Sequence, residues 1–176
     1  MTQSESIIPV WVNRRSKFIC DEAQFEDRRY DQSVTHTLRV LSNIVTVGSD
    51  GVSKSVKCKN RRVSKGALKE LEELLVSHSN KKDAIKIWHD KTTNEHPEPL
   101  KQVWGWLIEK RRSPVELMDR LAKNKFITIL RTEESEINIR GFRSKGSPEE
   151  RHSKIVVVDM PVDTFDLIKL RTKIKT

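Results

Sequence analysis

The sequence predicts an α+β fold, with strands grouped apart from helices. Three observations carry this. Two stretches read as strand hairpins, at about 37–59 and about 126–142. Between them, residues 64–124 carry apolar side chains at helical spacing. After them, "KIVVVDM" reads as one more strand, a buried one, near 154–160. The expected architecture is one mainly antiparallel sheet, with about four central helices packed on one face. All 176 residues are expected to form a single domain, with 1–7 and 144–153 mobile.

Each element has its own signal. "IIPVWVN" and "KFICDE" read as short extended pieces around the basic turn "NRRS", and Pro9 demotes the first to an edge. "TLRVLSNIVTV" is rich in β-branched residues. "GSDG" then reads as a turn and "VSKSVKCKN" as a return strand with one wet face. The period changes at "SKGALKELEELLVSHS", where positions 67, 68, 71, 74 and 75 are apolar and Ser64 is placed to cap. "KKDAIKIWHDK" reads as a second helix, and "TTNEHPEP" as a breaker. A third helix is expected over about 98–111, with Pro99 in its first turn. "SPVELMDRLAKN" has the capping box Ser113/Glu116 and Pro114 at its first position. "KFITIL-RTEES-EINIRGF" reads as the second hairpin, with Ile127 and Ile129 facing Ile137 and Ile139. The tail, "PVDTFDLIKLRTKIKT", reads as a turn followed by helix or strand.

The third helix poses a question of its own. Trp104 and Trp106 stand two apart, and such residues do not share a helix face. At 100° per residue, Leu100, Trp104, Leu107 and Ile108 form the core stripe. Trp106 falls opposite, near Gln102, Glu109 and Lys110. It is expected to meet a second packing layer, a subunit interface, or a stacked base.

Composition narrows the function classes. Two cysteines, Cys20 and Cys58, are too few for a disulfide framework, and they point to a cytoplasmic or otherwise intracellular setting, with a single Cys20–Cys58 bridge in a secreted protein as the alternative. No stretch has a signal-peptide pattern, and none approaches a membrane span. There is no phosphate-cradling glycine loop and no nucleophile elbow. No catalytic residue, cofactor or metal ligand is expected. Two weaker constellations stand beside this expectation. Asp21, Glu22, Glu26, Asp27 and Asp31 are the acids a metal-dependent nuclease would need. His89, Asp90, Glu95 and His96 include zinc-compatible donors at an unfamiliar spacing.

The positive balance is more informative. Formal net charge is +9, which favours polyanions. Seven basic residues and no acid lie between Gly51 and Lys69. "IRGFRSKGS" repeats the pattern. Lysine and arginine on a strand exit contact phosphates without reading bases. The expected function is therefore non-enzymatic nucleic-acid binding by a homodimer. Lys57, Lys59, Arg61, Arg62 and Lys65 are the first contacts, and Arg140, Arg143 and Lys145 support them. Trp106 is the interface or stacking residue. The alternative is a self-associating protein-interaction or assembly factor of viral or phage type, whose partner is another protein. A metal-dependent nuclease ranks third. Element order over 114–142 resembles the end of a winged helix-turn-helix. However, Glu116, Asp119 and the acidic tip "TEESE" are wrong for phosphate.

Overall fold

The computed structural model describes residues 10–25, 29–48 and 60–170. In chain order the elements are α1 (Val10–Glu22), α2 (Gln32–Val47), β1 (Arg62–Ser64), α3 (Lys65–Ser77), α4 (Lys81–Lys91), β2 (Thr92–Glu95), α5 (Leu100–Glu109), α6 (Pro114–Lys123), β3 (Ile127–Leu130), α7 (Arg131–Ile139), α8 (Pro148–Arg151), β4 (Val157–Asp159) and α9 (Val162–Leu170). The fold mixes helices with one four-stranded sheet of order β2-β3-β1-β4. The β2–β3 and β1–β4 pairs are antiparallel, and the central β1–β3 pair is parallel.

The four central helices form where their periodicity places them. Ser64 caps α3 by accepting from the Ala67 N–H at 2.9 Å. Trp88 of α4 is buried and its Nε1 donates to the Ala67 carbonyl at 2.7 Å, which locks α4 to α3. Ser113 and Glu116 make the reciprocal capping box of α6. In α5 the buried stripe is Leu100, Val103, Trp104 and Leu107, while Ile108 is half exposed.

Neither hairpin forms as expected. Residues 37–47 belong to α2, capped by the Asp31 carboxylate on the Val34 N–H at 2.9 Å. Val34, Leu38, Leu41 and Ile44 recur at helical spacing and are buried with residues of α1, α5 and α6. Burial among helices outweighs the β preference of the branched side chains, because that preference is context-dependent. The return strand at 51–59 lies outside the described residues. In the second stretch only 127–130 is strand. Glu133 then accepts from the Leu130 N–H at 2.8 Å and opens α7. At its far end the Gly141 N–H bonds to Asn138 O (3.0 Å) and the Phe142 N–H to Ile137 O (3.1 Å). Gly141 has φ +83°, which glycine adopts without strain. Phe142 packs against the cluster that includes Ile137. A helix with this C-cap leaves no return strand.

Further expectations are corrected. From Val10 to Glu22 the two expected extended pieces are one helix, α1, with Val12, Ser16, Ile19 and Cys20 buried one turn apart, and residues 7–9 lie outside the described residues. Part of the expected breaker, Thr92–Glu95, pairs with β3 as the edge strand β2. The strand near 154–160 is present as β4, but it is an edge and not buried: Val156 is 61% and Val157 38% exposed. Helices cover both faces of the sheet. Val63 and Val158 face α3, α4 and α9. Ile127 and Ile129 face α7, with Phe142 and Ile155 alongside. A third core, made by α1, α2, α5 and α6, lies beside the sheet.

The two parallel strands each run directly into a helix, and Glu133 joins the two junctions. Its Oε2 accepts from the Ser64 hydroxyl at 2.6 Å as well as from the Leu130 N–H. A Cβ on Gly66 would sit 2.7 Å from Glu133 Oε1, so a larger residue there would push against this carboxylate. Replacing Glu133 with alanine removes the acceptor shared by both junctions. The expected loss is about 2–3 kcal/mol of unfolding free energy, measured by urea titration. Glutamine, which keeps an acceptor, is expected to lose less.

Candidate nucleic-acid interface

Arg61 and Arg62 are consecutive at the start of β1, so their side chains leave opposite faces of the sheet. Arg61 lies on the Val63 side. Its Nε and Nη2 donate to Met160 O at 3.3 and 3.1 Å, and its guanidinium is 5.9 Å from the Phe165 ring centroid. Arg62 lies on the α7 side, across the ladder from Asp159. Its Nη1 donates to Lys125 O at 3.1 Å. The buried Asn60 fixes the backbone here. It accepts from the Arg62 N–H at 3.1 Å and donates to Arg62 O at 2.9 Å and Thr128 Oγ1 at 3.3 Å.

The second basic run starts where α7 ends. Arg140 is the C-cap residue of α7, and its guanidinium reaches across to α8. Nη1 donates to Ser153 Oγ (2.8 Å) and Glu150 O (3.2 Å), and Nη2 donates to Arg151 O (2.7 Å). The segment 144–153, expected to be mobile, thus contains the capped turn α8. Ser147 and Glu150 make its reciprocal capping box. Arg151 is 3% exposed and pairs with Glu95 at the end of β2. Burial raises the Glu95 pKa, and the Arg151 charge and hydrogen bond pull it back.

His152 follows, half-buried among these cations. Burial first, then Arg151, Arg62 and Arg140, push its pKa from the usual 6.5 down to about 4. Arg62 from the first basic run and Arg140 from the second therefore act on one imidazole. Neither forms an ion pair with a carboxylate among the described residues. Three buried nitrogens of this patch, Arg140 Nε, Arg151 Nε and His152 Nε2, have no hydrogen-bond partner among the described residues. β1, the end of α7 and α8 thus bring Arg62, Arg140, Arg151 and His152 together, with Asp159 across the ladder from Arg62 and Glu149 and Glu150 on the outside of α8.

The other candidates fall elsewhere. Lys57 and Lys59 lie outside the described residues. Lys65 is exposed in the first turn of α3, and Arg143 and Lys145 are exposed in the loop before α8. Trp106 is half-buried against the helical core. The Arg112 and Arg120 guanidinium carbons lie 4.4 and 4.5 Å from its ring centroid. Arg120 is held in turn by both carboxylate oxygens of Glu98. The second partner of Trp106 within the chain is thus a pair of cations. Of the five clustered acids, Asp31 caps α2, and Glu26 and Asp27 lie outside the described residues. His89 packs edge-on to Trp88, Glu95 pairs with Arg151, and His96 Nε2 meets Ser42 Oγ at 2.9 Å. These side chains turn to separate partners. Among the described residues, no three metal-ligating side chains are grouped to hold an ion. No helix among them is long and apolar enough to cross a membrane.

Sequence reading missed Glu95, Arg151 and His152 as parts of this patch. Their separation by more than fifty positions hides the pairing. The capping signal "SPEE" at Ser147–Glu150 was visible and marks α8. Comparison with protein-family models, with curated proteins and with solved structures returns no match.

The His152 environment makes a pH prediction. Its folded pKa lies below the unfolded value, so the unfolded chain binds more protons in between. Its contribution to stability is complete above about pH 6.5 and is lost as pH falls towards 4. The His152 ring signals in NMR are expected to titrate with a midpoint of about 4. In Arg62→Gln the midpoint is expected to move up towards the ordinary value.

Proposed function

We propose that this chain is a non-enzymatic nucleic-acid-binding protein. It contacts the phosphate backbone largely without regard to sequence, and it works as a dimer. The observation that carries this reading is the patch around His152. There Arg62 and Arg140 act on one point with no carboxylate paired to either among the described residues. A net charge of +9 supports it. Arg143 and Lys145, exposed beside the patch, extend the phosphate contacts, as does Lys65 at the start of α3. Lys57 and Lys59 remain assigned to the same role by their sequence. Backbone contact of this kind requires no base-reading helix. Trp106, flanked by Arg112 and Arg120, supports the helical core; a stacking or interface role for it belongs to this proposal in second place.

A second reading, a protein-interaction or assembly factor, draws on exposed apolar side chains. Val10, Phe18 and Val115 of α1 and α6 are each half exposed or more. Under that reading the charge has no ligand and the partner is a protein.

Fluorescence anisotropy with single- and double-stranded DNA and RNA of about 25 bases, over about 50–300 mM salt, separates the readings. Nucleic-acid binding predicts micromolar or tighter affinity at low salt. It also predicts a log–log salt slope of about −3, equivalent to three or four phosphate contacts. The variant Arg62→Gln/Arg143→Glu/Lys145→Glu is expected to bind at least about tenfold more weakly, with a shallower slope. Lys81→Glu/Lys82→Glu, on the exposed start of α4, is expected to bind as the parent does. No binding at low salt contradicts the reading. Divalent-dependent cleavage stopped by a chelator would point to the nuclease instead.

A further inference from the structure

Among the described residues the sheet ends at β4, and the ladder fixes which of its backbone groups are in use. Arg62, Val63 and Ser64 pair with Asp159, Val158 and Val157. Just beyond the strand ends, the Lys65 N–H bonds to Val156 O and the Met160 N–H bonds to Arg61 O, both at 2.8 Å. Residues 156, 158 and 160 therefore point their backbone groups inward, at β1. By the antiparallel alternation, Val157 and Asp159 point theirs outward, at an edge that no other strand of the described residues pairs with. Natural edges are guarded by brevity, charged side chains, proline, a bulge or a covering segment; β4 is only three residues long and ends in Asp159, with Lys154 and Pro161 flanking it. "IVVV" over 155–158 has no lysine and no proline, and Val156 and Val157 are 61% and 38% exposed.

We infer that β4 is a self-pairing edge: a second copy of this chain adds its own β4, antiparallel, about a two-fold axis at Val157. The outward residues must match one another, so the register is constrained. Centring on Val157 sets Val157 against Val157, Val156 against Val158, and Ile155 against Asp159 of the other copy. Val157 then exchanges two N–H···O bonds across the axis. The Asp159 N–H of each copy reaches the Ile155 carbonyl of the other. No like charges oppose each other, because Lys154 falls opposite Met160. The local charge of the edge, Lys154 and Asp159, is balanced in a chain that is otherwise strongly basic. The two four-stranded sheets become one of eight strands. A two-fold axis perpendicular to the sheet keeps both Arg62 faces on the same side. The symmetry closes, so association stops at the dimer. The contact is small and is expected to be concentration-dependent.

This inference locates the dimer contact of the function proposed above, and it does not depend on the nucleic-acid part of that reading. Its test is sedimentation velocity of the full chain, without nucleic acid, over a concentration series. The parent is expected to shift from monomer to dimer. Val157→Asp and Val157→Lys each place like charges face to face at the axis, and each is expected to stay monomeric at concentrations where the parent is dimeric. An equimolar mixture of the two variants sets aspartate against lysine and is expected to recover the dimer mass. Recovery in the mixture also shows that both variants are folded. A parent that stays monomeric throughout, variants that dimerise like the parent, or a mixture that stays monomeric would overturn the inference. Nucleic-acid binding by a chain that stays monomeric would overturn this contact and leave the binding reading standing.

Discussion

The buried pair between Glu95 and Arg151 is the constraint on which the basic patch depends. Without Arg151, Glu95 would be a carboxylate in a site whose burial already raises its pKa. Without Glu95, Arg151 would be a buried cation among further cations. Each partner makes the other tolerable, and breaking such a pair costs more than the pair contributes to stability. Its structural consequence is placement. Arg151 belongs to a helix of four residues, too short to hold itself in water. Its side chain fastens that turn to the end of β2. Arg140 then bonds to the carbonyls of the fastened turn, and His152 is brought within electrostatic reach of Arg62.

A second constraint acts at the centre of the sheet. Glu133 accepts hydrogen bonds from both strand-to-helix junctions, at Ser64 and at Leu130. It sets α3 beside α7 and thereby sets the end of α7, where Arg140 sits. A carboxylate at a helix N-terminus is favoured by the helix dipole as well. The patch is thus held from two directions, through Glu133 by way of α7 and through Glu95 by way of α8. Such support is what a phosphate-contacting surface requires, since loosely held arginines lose side-chain entropy on binding.

The sequence was readable where local rules decide the outcome. Ser64, Ser113 and Pro114 announced helix starts, and the apolar spacing over 67–75 and over 100–108 marked the buried faces of α3 and α5. It was misread where tertiary burial decides. Residues 37–47 carry enough valine, isoleucine and threonine for a strand, yet Val34, Leu38, Leu41 and Ile44 give α2 a face that fits between helices. The end of α7 was misread for a different reason. "INIRGF" alternates like a strand, but Gly141 and Phe142 are a helix stop, and the stop wins because both carbonyl bonds and an apolar contact support it. The site was half legible. Arg62 and Arg140 were visible as members of acid-free runs. Arg61 was grouped with Arg62 although strand alternation sends them to opposite faces. Pairing of Glu95 with Arg151 crosses fifty-six positions and leaves no local pattern.

The proposed function requires that two basic runs, distant in sequence, act as one surface. Amide chemical shifts followed by NMR during titration with a short oligonucleotide test it most directly. Residues 61–65 and 140–154 are expected to shift together, along one binding curve, and to return together as salt is added. Shifts confined to one run, or centred on α1 or Trp106 with both runs unmoved, would contradict it.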